Sequence, residues 1–201
     1  MTVAVPSEKS KRNTLLLLAG VFFLPFVIGT GLFWVDWRPE KYSNHGELLQ
    51  PARPLPDTGL SRADGQPLPT SAIRGKWLLV LPATGMCDHS CESSLQMMGQ
   101  VYIALNKEQN RLQRVFITYE GITTDNKAAL TALQLKFPDI VVAAVSANEK
   151  GKVWHDALGG GGQDMFIVDS LGNVMMRYAD PVDMRGVLKD LERLLKYSWI
   201  R

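Results

Sequence analysis

Histidine and cysteine are scarce in this chain, with three histidines and two cysteines among 201 residues. Any thiol chemistry therefore rests on one pair, Cys87 and Cys91. A basic stripe is also lacking. Of the 22 Lys and Arg, three (Lys9, Lys11, Arg12) precede residue 36, and of the 20 Asp and Glu only Glu8 does. Residues 36–201 thus carry 19 of each and are neutral, which leaves no electrostatic footprint for nucleic acid. There is no internal repeat and no block of like charge, so neither a repeat array nor a charged tail organises the chain.

Charge is absent altogether from Asn13 to Val35. The 22 residues from Thr14 to Val35 would make about 33 Å of helix, enough to cross a hydrocarbon core of about 30 Å. A secretory signal has a shorter apolar region and a small-x-small cleavage site. Here the run ends in Leu32-Phe33-Trp34-Val35-Asp36-Trp37-Arg38, which offers no such site. Trp34 and Trp37 suit a membrane interface instead. Residues 13–35 are therefore read as an uncleaved transmembrane anchor. Lys9, Lys11 and Arg12 keep residues 1–12 in the cytoplasm and put residues after 36 outside it. The N-terminus lacks the Arg- and Ser-rich character of a transit peptide, which favours a bacterial inner membrane and a periplasmic domain.

Residues 36–56 hold Pro39, Pro51, Pro54 and Pro56 and read as a linker or as an extended arm laid on the domain. Residues 57–201 are long enough for one domain with its own core. Asp64-Gly65 marks a turn between short extended pieces. Trp77 to Leu81 is continuously apolar, as in a strand buried on both faces. Helical spacing of Leu95, Met98, Tyr102 and Leu105 predicts a helix over Ser90–Lys107. A strand over Leu112–Tyr119 follows, then a helix over Thr124–Phe137, closed before Pro138. A strand over Ile140–Val145 precedes a short helix, Lys150–Leu158, ended by the glycines 159–162. Met165–Val168 and Val174–Tyr178 form a hairpin by spacing. A last helix is expected over Pro181–Tyr197, with Asp180 as its cap. The fold class is α/β, with parallel strands covered on both faces and an antiparallel closing hairpin.

Cys87 and Cys91 lie in the segment Thr84-Gly85-Met86-Cys87-Asp88-His89-Ser90-Cys91-Glu92. The loop leaves the first buried strand and enters a helix, an edge where open α/β sheets bind ligands. The helix N-terminus favours thiolate, while Asp88 and Glu92 oppose it. Residues four apart on a helix have Cβ atoms about 5–6 Å apart, whereas a disulfide needs about 3.5–4.5 Å. Closing a disulfide therefore requires some unwinding of the first turn. Two thiolates on one soft ion such as Cu(I) fit more easily. A plain stapling disulfide is the third alternative. His89 is a candidate third ligand, with a solvent-exposed loop histidine as the plainer reading. Met86 abuts Cys87, while Met98 belongs to the apolar stripe.

At these residues the chain resembles the Sco/SenC family of membrane-anchored copper chaperones. Those proteins place a C-x-x-x-C on a thioredoxin-like domain behind one N-terminal anchor. The resemblance covers Leu60 to Tyr197. It is carried by Arg74-Gly75-Lys76-Trp77, by Cys87 and Cys91, and by the segment Met165-Phe166-Ile167-Val168-Asp169-Ser170-Leu171-Gly172-Asn173. Asn44-His45-Gly46-Glu47-Leu48-Leu49 is similar to the arm of anchored Sco-like proteins of cytochrome c oxidase assembly. The chain departs from the family in lacking prolines around its cysteines. It also lacks the histidine expected shortly before Met165, which is the family's third copper ligand; the histidine close by is His155. No proline stands just before Met165, where thioredoxin-type oxidoreductases keep one in cis.

The resemblance implies an assembly factor for a respiratory cytochrome c oxidase that handles Cu(I) or reduces copper-site thiols through Cys87 and Cys91. His89 or His155 is the candidate additional metal ligand. The implied partners are a copper-containing oxidase subunit or another assembly factor, and the membrane. A general periplasmic thiol–disulfide oxidoreductase is the alternative, which leaves open whether the chain is an enzyme. A non-catalytic scaffold is the third reading.

Overall fold

The computed structural model describes residues 8–35, 44–145, 149–159 and 162–198. The chain divides into two units, residues 1–43 and 44–201. The first unit contains helix α1, Glu8–Trp34. Its apolar side chains, such as Phe22, Phe26 and Trp34, are exposed, and the stretch Arg12–Trp34 is long and apolar enough to cross a membrane. Pro25 lies inside it without ending it. Trp37 and residues 1–7 lie outside the described residues.

The second unit is one eight-stranded sheet. Its strands are β1 (Glu47–Pro54), β2 (Leu60–Arg62), β3 (Pro67–Leu68), β4 (Trp77–Ala83), β5 (Leu112–Thr118), β6 (Ile140–Val145), β7 (Met165–Val168) and β8 (Asn173–Tyr178). The spatial order is β1-β8-β7-β4-β5-β6-β2-β3. β4, β5 and β6 are parallel, and the remaining neighbours are antiparallel. Every residue of β4 is buried, because helices and loops cover both of its faces. Leu79 and Leu81 join one core, with helices α2 (His89–Ala104), α3 (Thr124–Lys136) and α5 (Met184–Tyr197). Leu78 and Val80 join the other, with Trp154 and Leu158 of α4 (Glu149–Leu158). The period-2 alternation thus sorts one apolar run into two cores.

Three boundaries differ from the sequence expectations. The sequence places the domain start at residue 57, behind a linker or an extended arm laid on the domain. From Asn44 onward the arm belongs to the folded unit, because β1 pairs antiparallel with β8, Glu47 opposite Arg177 and Leu48 opposite Met176. Pro51 fits there because β1 is an edge strand with an irregular register between Leu48 and Arg53. Residues 36–43 of the 36–56 segment lie outside the described residues. Helix α2 stops at Ala104 rather than Lys107, since Asn106 adopts a left-handed φ of 50°. Helix α5 begins at Met184, with Asp183 rather than Asp180 as its cap. The Asp183 carboxylate accepts from Arg185 N–H, while Asp180 N–H is directed to Asp164. The other elements agree to within a residue or two. Gly159 at φ 65° follows the end of α4, and glycines 160 and 161 lie outside the described residues.

Candidate functional site

The two cysteines follow the carboxyl end of β4, which lies between parallel β5 and antiparallel β7 in the middle of the sheet. Asp88 caps α2 with an extended backbone, φ −84° and ψ −175°, and its carboxylate accepts from Cys91 N–H at 2.8 Å. Cys87 therefore lies outside the helix and Cys91 in its first turn. Their Cα atoms are 5.2 Å apart, and a disulfide joins them. The unwinding that C-x-x-x-C requires is supplied by the extended cap residue. Cys91 is 2% exposed and packs into the core, whereas Cys87 is half-buried at the surface. A reagent in solution therefore meets Cys87 first.

The nearby acids are engaged. The Asp88 carboxylate serves the cap, and Glu92 forms an ion pair with Lys136 of α3 at 2.8 Å. A cavity of about 220 Å³ opens beside Cys87, bounded by Met86, Ala129, Leu133, Glu92 and Lys136. A second, of about 530 Å³, extends from Met86 toward Tyr119, Glu120 and Asp125. Met86 lines both and is 39% exposed.

His89 is exposed in the first turn of α2. His155 lies on α4 with its ring against Tyr119, centroids 5.3 Å apart. The Tyr119 hydroxyl is buried without a hydrogen-bond partner among the described residues, and burial pushes its phenol well above the ordinary range. Among the described residues no three His, Cys, Asp or Glu side chains converge as a metal-holding group. The structure brings Cys87 and Cys91 together as a pair.

Sequence reasoning missed the loop before β7. Gln163 reaches across to the cysteine turn: Ser90 Oγ donates to its Oε1 at 2.6 Å, and its Nε2 donates to Asp88 Oδ1 at 3.4 Å. Its neighbour Asp164 is buried, ion-paired to Arg177 at 2.7 Å, and accepts from Asp180 N–H at 3.1 Å. The one sequence signal was positional, since this is the loop where a family ligand was expected. The third histidine, His45, lies in the arm just before Glu47 of β1, which is paired with Arg177 of β8. Its main-chain N–H and that of Gly46 donate to Asp190 Oδ2 at 2.8 and 3.0 Å, and Tyr178 donates its hydroxyl to the same oxygen at 2.9 Å.

The sequence model of the family described as transmembrane-like, thioredoxin-like, C-terminal domain matches residues 77–198. Among solved structures, apo Sco1 from Thermus thermophilus is similar with a TM-score of 0.61 at 19% identity, covering 78% of this chain and 99% of that one. Yeast Sco1 with copper bound gives 0.58 at 17% identity, covering 79% and 96%. A SCO1/SenC family lipoprotein from Bacillus anthracis gives 0.59 at 19% identity, covering 73% and 98%. At these identities the likeness is one of fold. No curated protein matches the chain.

Proposed function

Because the chain belongs to the transmembrane-like, thioredoxin-like C-terminal domain family, we propose that it is a membrane-tethered, Sco-like assembly factor for a copper-containing respiratory oxidase. Helix α1 anchors it in a bacterial inner membrane, with the domain in the periplasm. The observation that carries the reading is the cysteine pair: half-exposed Cys87 joined to buried Cys91 at the end of the central strand. Copper bound to a protein of this fold, yeast Sco1, supports the choice of cargo.

The pair offers two chemistries. Reduced, two thiolates give Cu(I) a low-coordinate soft site. Alternatively, the dithiol reduces a client disulfide. The Cys87 thiolate attacks one client sulfur and forms a mixed disulfide, and Cys91 then displaces the client thiol. Two electrons and two protons pass to the client, and the Cys87–Cys91 disulfide is left to be reduced by an external dithiol. A donor set of two, with no third ligand grouped with it among the described residues, favours exchange over tight holding of Cu(II).

The test uses the reduced full-length chain in detergent, titrated anaerobically with Cu(I) against a competing chelator. One Cu(I) per chain is expected, lost in Cys87→Ser and in Cys91→Ser. His89→Ala and His155→Ala separate the candidate third ligands, through loss of any Cu(II) spectrum. No Cu(I) uptake, with thiols that still cycle in glutathione buffers, would transfer the reading to an oxidoreductase. A pair that stays oxidised at strongly reducing poise would leave only a structural staple.

A further inference from the structure

The cysteine turn is gripped from a distant part of the chain. Disulfide closure depends on Asp88 staying extended, because that conformation carries Cys87 off the helix and to within 5.2 Å, Cα to Cα, of Cys91. Two of the three residues between the cysteines, Asp88 and Ser90, are held by one side chain, Gln163, at 3.4 and 2.6 Å. Gln163 is itself fixed. The next residue, Asp164, is 6% exposed, and its two oxygens are bound to Arg177 of β8 and to Asp180 N–H. The β8 strand is set by pairing with β7 and β1. The amide therefore reaches the cysteine turn from a rigid base, between the sheet and the first turn of α2.

We infer that Gln163 is a positioning residue for the thiol pair, a clasp that pre-organises the turn for the disulfide and so lowers the reduction potential of the Cys87/Cys91 couple. This rests on the reading of the pair as redox-active. With the dithiol, Cys87 is joined to Cys91 only through Asp88, His89 and Ser90, and the turn has more ways to open. The clasp removes some of those conformations in advance, so closing the disulfide forfeits less entropy. By reciprocity the closed disulfide also strengthens the clasp. The two hydrogen bonds, one of them long at 3.4 Å, act on the couple only through the part of their strength that the closed form gains over the dithiol, about tenfold in an equilibrium constant. Gln163 touches neither sulfur; it acts through Asp88 and Ser90.

The experiment equilibrates the full-length chain in dithiothreitol buffers of graded poise and counts thiols by maleimide trapping. Gln163→Met keeps the length and loses both hydrogen bonds. Its disulfide should be about tenfold easier to reduce, an upward shift of about 30 mV. Ser90→Ala removes one bond and should give about a threefold change. Gln163→Glu can still accept from Ser90 but turns a carboxylate toward Asp88, and its shift should be at least that of Gln163→Met. A merely structural residue would lower melting of the oxidised and reduced forms alike; the clasp predicts a larger loss in the oxidised form. Potentials of Gln163→Met and Ser90→Ala both within about twofold of wild type would overturn the inference. Failure of the functional reading looks different: a wild-type pair inert in glutathione buffers, whose potential in dithiothreitol still reports whether Gln163 matters.

Discussion

Replacing Asp190 by alanine should release the arm that joins the membrane helix to the domain. Asp190 lies on α5 at 3% exposure. Its carboxylate accepts from the His45 and Gly46 N–H groups and from the Tyr178 hydroxyl, with His45 Nδ1 at 3.2 Å. Alanine would leave those three donors without their acceptor. At about 1 kcal/mol net for each hydrogen bond, the loss is about 3 kcal/mol. For a unit of roughly 160 residues that lowers the melting midpoint by about 6–12 °C. If the arm detaches before the rest unfolds, the loss is local instead and shows as faster amide exchange over Glu47–Pro54. The assay is thermal unfolding of the full chain in micelles, with hydrogen exchange read by fragment. A midpoint within about 2 °C of wild type together with unchanged exchange in that strand would refute the argument.

Acid should weaken the same contact. Burial works to raise the Asp190 pKa, but the Gly46 and His45 N–H bonds, with those of the His45 and Tyr178 side chains, hold it below its ordinary value of 3.8. A depressed carboxylate stabilises above the unfolded value, and that contribution is lost as pH falls through the folded one. The stability gap between wild type and Asp190→Asn, from denaturant titration, should be constant from pH 7 to about 5 and shrink below about 4. Gly46→Ala and Gly186→Ala should each cost about 1–3 kcal/mol, since a Cβ would meet the Tyr178 ring at 2.6 Å and the His45 Cβ at 2.6 Å. The double variant should cost less than the sum, because both loosen one dock. In Cys91→Ser, half-exposed Cys87 should alkylate at least about tenfold faster than buried Cys91 does in Cys87→Ser.

What was legible in the sequence was local. An uncharged run of spanning length, Thr14 to Val35, marks α1 because the property that matters there is summed along consecutive residues. Trp77 to Leu81 reads as a doubly covered strand because both of its faces are apolar. Two cysteines four apart at a strand-to-helix edge name the candidate site because the chemistry and the loop are contiguous. The arm from Glu47 to Pro54 carries prolines and no alternation, so nothing in it announces a strand; its conformation comes from pairing with β8, more than a hundred residues on. Likewise Ser90 and Gln163 stand 73 positions apart, and His45 and Asp190 145. A hydrogen bond between such residues leaves no periodicity and no spacing for either to show. Only the folded sheet, by fixing β7 beside β4 and β1 beside β8, could set Gln163 against the cysteine turn and Asp190 against the arm.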